Sequence, residues 1–360
     1  MQSNPFEKVV QKIEEARDRK VSGKLNCIPT AFERFSNYYE GIERGKYTLV
    51  TANAKVGKSQ ITDYMFVYHP IHYIAHNKSN FDVEILYYSL EMSAHQKTMQ
   101  AISHFLYHHY GILKSPKELR SLKEALDLGT LTQIKEMREF FNFYFSKVKY
   151  IDNIRNRYGI WLDIFNYAKS RGTLIYEEKD FGNGPKKIIK EYVPNNPDLI
   201  TLIIIDHASL LVPENGETLT SSINKLSSGD LVTARNLFGF NPVLIQQQMN
   251  AQESLEHKKA QSLMPTLAGL ADCKDTQRDV DLALGLFSPA RHEIFNFKGY
   301  DVSKYGDRFR SLEILAGREG SGNTLCPLLF LGECSYFEEL PLPNTPALKT
   351  FEAEKLPNIK

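Results

Sequence analysis

The sequence lacks the segments that would place it in a membrane or send it out of the cell. No apolar run reaches the roughly 18 residues that a bilayer-spanning helix needs, and the N-terminal segment has no apolar signal region. Cysteine is scarce, since only Cys27, Cys273, Cys326 and Cys334 occur and none form a CxxC pair. This spacing argues against a disulfide framework and a thiolate zinc site. We therefore expect a cytoplasmic protein with no membrane partner.

The chain also has little excess charge of either sign. Its 44 lysine and arginine residues face 43 aspartate and glutamate residues, which gives a formal net charge of +1. With 42% hydrophobic and 24% charged residues, the composition is that of a globular protein and excludes a disordered or fibrous one. Binding to nucleic acid would therefore depend on local basic loops and not on an overall positive field.

Four short apolar runs indicate the core. They are rich in β-branched residues, are bounded by turn residues, and cover residues 47–52, 83–90, 199–206 and 242–247. Such runs, with helix-like stretches between them, are typical of parallel strands that are buried on both faces. We therefore predict an α/β fold with a mostly parallel central sheet flanked by helices.

The remaining segments complete the predicted organisation. Residues 1–27 combine a helix that has one apolar face with a short linker, and this helix could dock onto the core or onto a neighbouring subunit. Residues 28–340 form the predicted core domain, and residues 341–360 form a tail. Strand-like ends around a glycine-containing turn predict a β-hairpin inserted at about 173–193.

The strongest functional signal is a phosphate-binding loop between a strand and a helix-like stretch. Its residues are Ala52, Asn53, Ala54, Lys55, Val56, Gly57, Lys58 and Ser59. In this arrangement, backbone N–H groups and the positive end of the helix dipole converge on the phosphates of a nucleotide. We expect Lys58 to contact the β- and γ-phosphates of ATP and Ser59 to ligate Mg²⁺. Alanine stands where this motif has its first glycine.

Two carboxylates are expected at the same edge of the sheet. Asp206 ends a strand at the carboxyl edge, where ligands of α/β proteins bind, and would hold Mg²⁺ directly or through water. Glu91 follows another strand and could orient and deprotonate an attacking water. Spacing alone leaves a second role open for Glu91, because a glutamate at the start of a helix also favours the helix dipole.

The order of these motifs resembles the DnaB-type hexameric replicative helicases of bacteria and their phages. The similar segments are IPTAFERF, GIERGKYTLVTANAKVGKS, SLEM, LIIIDHASLL, PVLIQQQMN, DTQRDVDLALGL and AGREGSGN. The resemblance covers residues 28–337, and the ordered series is more specific than any single motif. It implies a RecA-like domain that hydrolyses ATP with Mg²⁺ and moves 5′ to 3′ on single-stranded DNA as a homo-hexameric ring.

The resemblance also assigns roles to individual residues. Glu91 becomes the catalytic base, and Gln248 falls on the glutamine that links the γ-phosphate to the DNA loops. Arg318 falls on the arginine finger, which reaches the nucleotide of the adjacent subunit and neutralises charge in the transition state. DNA loops are implied at 213–228 and 250–264.

Lys258 and Lys259 lie in the second of these implied loops and suit the phosphates of a single strand. A solvated cluster of loop charges is the alternative role for both lysines. Neither loop has much aromatic character, so contact with the DNA backbone is favoured over base stacking.

The sequence departs from the family pattern in three ways. Ala316 stands where the family has a lysine two residues before the finger, and His207 follows Asp206 where the family has tyrosine. No counterpart of the family's primase-receiving N-terminal domain is expected, which suggests a compact phage replication protein with primase or a helicase loader as further partners. Two other functions stay open: a filament-forming recombination ATPase of the RecA or RadA type, and a helicase-derived adaptor that hydrolyses ATP weakly.

Overall fold

The computed structural model describes residues 4–77, 80–180, 182, 184–249, 263–318 and 324–359. Its strands are β1 (Ile28–Pro29), β2 (Gly41–Ile42), β3 (Thr48–Ala52), β4 (Asp82–Ser89), β5 (Val148–Ile151), β6 (Gly172–Asp180), β7 (Pro185–Pro194), β8 (Leu199–Asp206), β9 (Asn241–Gln247), β10 (Leu282–Phe287), β11 (Asn296–Phe297), β12 (Tyr300–Asp301), β13 (Phe309–Gly317), β14 (Cys326–Leu331) and β15 (Tyr336–Glu339). The four apolar runs of the sequence form β3, β4, β8 and β9.

The helices cover both faces of the sheet. They are α1 (Pro5–Val21), α2 (Lys58–Asp63), α3 (His69–His76), α4 (Ala94–Tyr110), α5 (Pro116–Leu119), α6 (Leu128–Glu136), α7 (Arg138–Lys147), α8 (Arg157–Arg171), α9 (Leu219–Asn224), α10 (Val232–Phe238) and α11 (Pro346–Lys355). Two π-helical segments join helices end to end: Tyr64–Tyr68 joins α2 to α3, and Lys225–Leu231 joins α9 to α10.

Nine strands form the central sheet, in the order β15-β14-β13-β10-β3-β9-β8-β4-β5. The six strands from β10 to β5 are mutually parallel. Strands β13, β14 and β15 extend the sheet by antiparallel pairing. The predicted α/β fold with a mostly parallel sheet is therefore confirmed, whereas the antiparallel extension was not foreseen.

The buried strand β8 shows why this sheet needs helices on both faces. Its sequence LITLIIID is buried at every position, and successive side chains of a strand point to opposite faces. Leu202 and Ile204 pack with Phe66 and Phe105, on the face covered by α2 to α4. Ile203 and Ile205 belong to the second core, together with residues of α8 and α10. The result is a three-layer helix–sheet–helix core with β3 as its middle strand.

The N-terminal helix and the inserted hairpin both occur as the sequence predicts. Helix α1 begins after Asn4, whose side chain accepts a hydrogen bond from the backbone of Phe6, and continues to Val21. Strands β6 and β7 pair antiparallel as the hairpin. The apolar stripe of α1 is uncovered within the single chain, since Phe6, Val9 and Ile13 are 66%, 56% and 62% exposed. None of the described helices combines the length and apolar character needed to cross a bilayer.

We expect Ile204→Ala to lower the free energy of unfolding by about 2–5 kcal/mol, because it leaves a cavity at a fully buried position of the central sheet. Ile175→Ala is the matched control, since Ile175 lies on the hairpin and is 40% exposed, and it should cost less than about 1 kcal/mol. Chemical denaturation measures both values. Equal losses at the two positions would contradict the assignment of β8 to the core.

Candidate nucleotide site

The phosphate-binding loop connects the middle strand of the sheet to the first helix that covers it. β3 ends at Ala52, and α2 begins at Lys58 after Gly57, whose φ of +107° lies in the region that favours glycine. A Cβ atom on Gly57 would also come within 3.2 Å of the Phe330 ring. Ala52, which stands at the first loop position, is fully buried within the core.

A buried arginine supports this loop from behind. The Arg310 side chain lies at the start of β13 and is 2% exposed. Its Nε donates to the carbonyl of Val56 at 2.8 Å, and its guanidinium lies 4.8 Å from the centre of the Phe330 ring. Arg291 also donates a hydrogen bond to the loop, at the carbonyl of Ala54. Sequence reasoning missed both arginines, which follow the loop by more than 200 positions and match no short motif.

The two expected Mg²⁺ ligands lie side by side. Ser59 donates its hydroxyl to Oδ1 of Asp206 at 2.8 Å, and Tyr87 donates to Oδ2 at 2.8 Å. Asp206 is 1% exposed. Burial alone would raise the pKa of its carboxyl, but the Lys97 ammonium and the two hydroxyls outweigh burial and hold this pKa below its usual value. A hydroxyl beside an ionised carboxylate is an oxygen pair suited to Mg²⁺.

Glu91 lies at the same edge of the sheet and close to His207. Its side chain is 53% exposed, and one carboxylate oxygen lies 3.7 Å from Nε2 of His207. The pKa of His207 is lowered, first by burial and then by the positive charge of Lys58. A depressed pKa favours neutral imidazole at pH 7. The exposed side chain of Glu91 is accessible to water at this edge of the sheet.

Two residues near these groups have buried polar atoms without partners among the described residues. Both amide atoms of Asn53 and the Nδ1 atom of His207 are buried and form no hydrogen bond with the described residues. Buried polar groups in native proteins nearly always have hydrogen-bond partners, so unpaired ones indicate that a bound ligand supplies the partner. The open loop, the Lys58 side chain and the Ser59–Asp206 pair fit a nucleoside triphosphate with Mg²⁺.

The end of β9 separates two glutamines onto opposite faces of the sheet. Gln248 is 2% exposed, and its amide nitrogen donates to the Thr51 hydroxyl at 2.9 Å and to the Thr266 carbonyl at 3.0 Å. Gln247 pairs with Ala52 in register and is half-buried, and its amide forms no hydrogen bond with any described residue. By alternation, Gln247 shares the face of Val243 and Ile245, which pack in the same core as Ile61 of α2.

Because of these contacts, the two glutamines differ in whether their side-chain amide is available to bind a ligand. The amide of Gln248, the residue that the resemblance assigns to the γ-phosphate, connects β3 to the segment around Thr266. The amide of Gln247 is the available one on the face of the phosphate-binding helix. Counting the alternation of side chains along the strand from Val243 is the sequence signal that could have assigned the two glutamines to different faces.

Arg318 lies at the edge of the sheet opposite to the phosphate-binding loop. It follows β13, which is antiparallel to β10, and Gly317 pairs with Leu282 while Leu282 pairs with Thr48 at the start of β3. The full length of β3 therefore separates Arg318 from the loop of its own chain. Its guanidinium lies 3.2 Å from Asp281 with its side chain 54% exposed.

The implied DNA contacts are only partly covered by the structure. Lys258 and Lys259 lie outside the described residues, as do residues 319–323 after Arg318. The segment 213–228, expected as a loop, contains the helix α9, because the Thr218 side chain caps its start by accepting from the backbone of Ser221.

Comparison with known proteins identifies the fold. No protein-family model matches the chain, and no curated protein matches it. The solved ATPase domain of a phage protein superimposes with a TM-score of 0.68 at 16% sequence identity, covering 95% of this chain and 100% of that one. A DnaB-like replicative helicase, described with its interactions with primase, gives 0.67 at 16% identity, covering 95% and 69%. The predicted α/β fold is therefore confirmed as one that this chain shares with these two structures.

We expect Gln248→Ala to lower the free energy of unfolding by about 1–3 kcal/mol, because it leaves the buried polar groups of Thr51 and Thr266 without their partner. Gln247→Ala is the neighbouring control and should change this free energy by no more than about 0.5 kcal/mol. Denaturant titration of the nucleotide-free protein measures both. A larger loss of stability for Gln247→Ala than for Gln248→Ala would contradict the assignment of these two side chains to their faces of the sheet.

Proposed function

We propose that this chain is the ATPase of a replicative DNA helicase, which assembles as a homo-hexameric ring, moves along single-stranded DNA and separates the duplex, 5′ to 3′. One observation carries the proposal: the phosphate-binding loop and Arg318 occupy opposite edges of one sheet. A site that needs both can be completed only when a second copy supplies the arginine. The likeness to DnaB-like helicase structures supports the same choice.

The chemistry begins with the loop and its two oxygen ligands. The backbone N–H groups of Ala54 to Ser59 and the Lys58 ammonium would bind the phosphates of ATP, with Asn53 as a further partner. Ser59 and Asp206 would hold Mg²⁺, which supplies positive charge against the β- and γ-phosphate oxygens.

Glu91 would accept a proton from the attacking water. Its exposure leaves room for that water, and the depressed pKa of His207 keeps a competing positive charge away from its carboxylate. The Arg318 guanidinium of a neighbouring subunit would neutralise charge that develops on the γ-phosphate. Ala316 stands in place of the additional lysine of the family pattern, and Arg291, which contacts the loop in the same chain, would compensate for its charge.

The exposed stripe of α1 supports assembly. Phe6, Val9 and Ile13 would bury their side chains against an adjacent subunit, where burial of each contributes about 1–2 kcal/mol.

All four cysteines are free thiols, as expected in the cytoplasm, which is the host cytoplasm if a phage encodes the chain.

Coupling to DNA would start at β9. Loss of the γ-phosphate would remove a contact from the end of this strand, made either by Gln247 or by Gln248 together with Thr266. Residues 250–262 follow this strand directly in the chain, so a change at its end would reach them. Lys258 and Lys259 would bind the DNA backbone there. Primase or a helicase loader would be a further partner.

Strand displacement on forked duplexes tests the function. We expect ATP-dependent separation of a fork with a free 5′ single strand and none of a fork with only a 3′ single strand. Open filaments on single-stranded DNA, without unwinding, would favour a recombination ATPase. Nucleotide binding without DNA-stimulated hydrolysis would favour an adaptor.

We expect Lys58→Ala to reduce ATP turnover by at least about a hundredfold, because the principal cation on the β- and γ-phosphates is lost. Lys55→Ala, in the same loop, serves as the comparison and should retain most activity, since its side chain precedes the helix. Release of phosphate measures both, and full turnover by Lys58→Ala would refute the nucleotide site.

A mixing experiment tests the shared site. Arg318→Ala and Lys58→Ala should each be inactive alone, but equal mixing should restore about a quarter of the wild-type hydrolysis, since about one interface in four then combines an intact loop with an intact arginine. The mixture must be assembled from dissociated subunits. An inactive mixture, with intact rings by electron microscopy, would contradict action of Arg318 across the interface.

A further inference from the structure

A fully buried lysine lies directly behind the carboxylate that the proposed function assigns to Mg²⁺. Lys97 on α4 is 0% exposed, and its Nζ lies 3.3 Å from Oδ2 of Asp206. The same ammonium donates to both carboxylate oxygens of Asp63 on α2, at 3.0 and 2.8 Å, and to the Tyr87 hydroxyl at 2.6 Å. Lysine is almost never fully buried without such partners.

These contacts leave Asp206 with a single orientation. Its Oδ2 is fixed by the Tyr87 hydroxyl and the Lys97 ammonium, so its Oδ1 is directed at Ser59. A carboxylate on a two-bond side chain can otherwise rotate about both bonds. The ammonium therefore acts on the side of Asp206 away from Ser59 and determines which oxygen faces the expected metal position.

Stability is a weak reason for this cluster. Replacement of a buried ion pair by apolar residues of similar volume is often neutral or stabilising, because the attraction only offsets the cost of removing both charges from water. A role in the site explains the cluster better, since Lys97 connects three elements of that site. They are α2, which begins at the phosphate-binding loop, β8, which ends at Asp206, and α4, which begins three residues after Glu91.

We infer that Lys97 is a positioning residue for the metal-binding carboxylate: it fixes the orientation of Asp206 and thereby sets the Mg²⁺ affinity of the nucleotide site. This role rests on the proposed function, since it takes Asp206 as a Mg²⁺ ligand. Loss of a group that orients a metal ligand typically reduces metal affinity by about 10- to 100-fold.

The test uses the full chain with Lys97→Met and Asp63→Leu combined, which removes one charge of each sign and leaves Asp206 with the hydroxyls of Ser59 and Tyr87 as partners. Binding of a fluorescent ATP analogue is followed as Mg²⁺ is added. We expect the Mg²⁺ concentration at half-maximal binding to rise about tenfold, while the affinity for the analogue in EDTA stays unchanged. Tyr87→Phe, which removes a single oxygen from the cluster, should shift the midpoint in the same direction by a smaller factor.

The matched control is Lys147→Met with Asp82→Leu, an ion pair of 2.6 Å at the opposite end of β4. It should leave the Mg²⁺ midpoint unchanged, whatever its effect on thermal unfolding. An unshifted or lower midpoint in both the Lys97 double variant and Tyr87→Phe would overturn the positioning role, and a lower one would mean that Lys97 only repels the metal. Absence of Mg²⁺-dependent binding in the unaltered chain would instead refute the proposed function.

Discussion

The candidate site depends on one buried negative charge, that of Asp206. An ionised carboxylate removed from water costs several kcal/mol unless other groups compensate it. Here Ser59, Tyr87 and Lys97 supply that compensation from three different elements, and Lys97 shares its charge with Asp63. The position of the carboxylate, the start of the phosphate-binding helix and the segment that contains Glu91 are therefore mutually dependent.

The direction of the strands imposes the second constraint. The loop follows the carboxyl end of β3, whereas β13 runs the other way and delivers Arg318 to the amino end of the same sheet. The reversal also brings Arg310, at the start of β13, up to the carbonyl of Val56. One antiparallel strand thus supports the loop of its own chain with its first residues and places an exposed arginine at the opposite edge of the sheet with its end.

Several parts of this arrangement could be predicted from the sequence, because their signals are local. A strand, the loop from Ala52 to Ser59 and a following helix are adjacent in the chain, and the buried run ending at Asp206 has only one reasonable place in a parallel sheet. The meeting of Ser59 and Asp206 followed from these two facts, although 147 positions separate them. The pairing of β13 to β15 was not predicted, since antiparallel strands that join an existing sheet leave no distinct pattern in a single sequence.

By itself, then, the sequence determined the parallel α/β core, the loop from Ala52 to Ser59 between a strand and a helix, and the edge of the sheet where Glu91 and Asp206 lie. Each follows from periodicity or from neighbouring residues. Only the tertiary structure decided which polar side chains support that site. Lys97 and Arg310 lie in segments that carry no motif, and the difference between Gln247 and Gln248 is a matter of which face of β9 each occupies. The physical reason is that burial and hydrogen-bond partners depend on contacts between residues far apart in the chain, and those contacts exist only after the layers have packed.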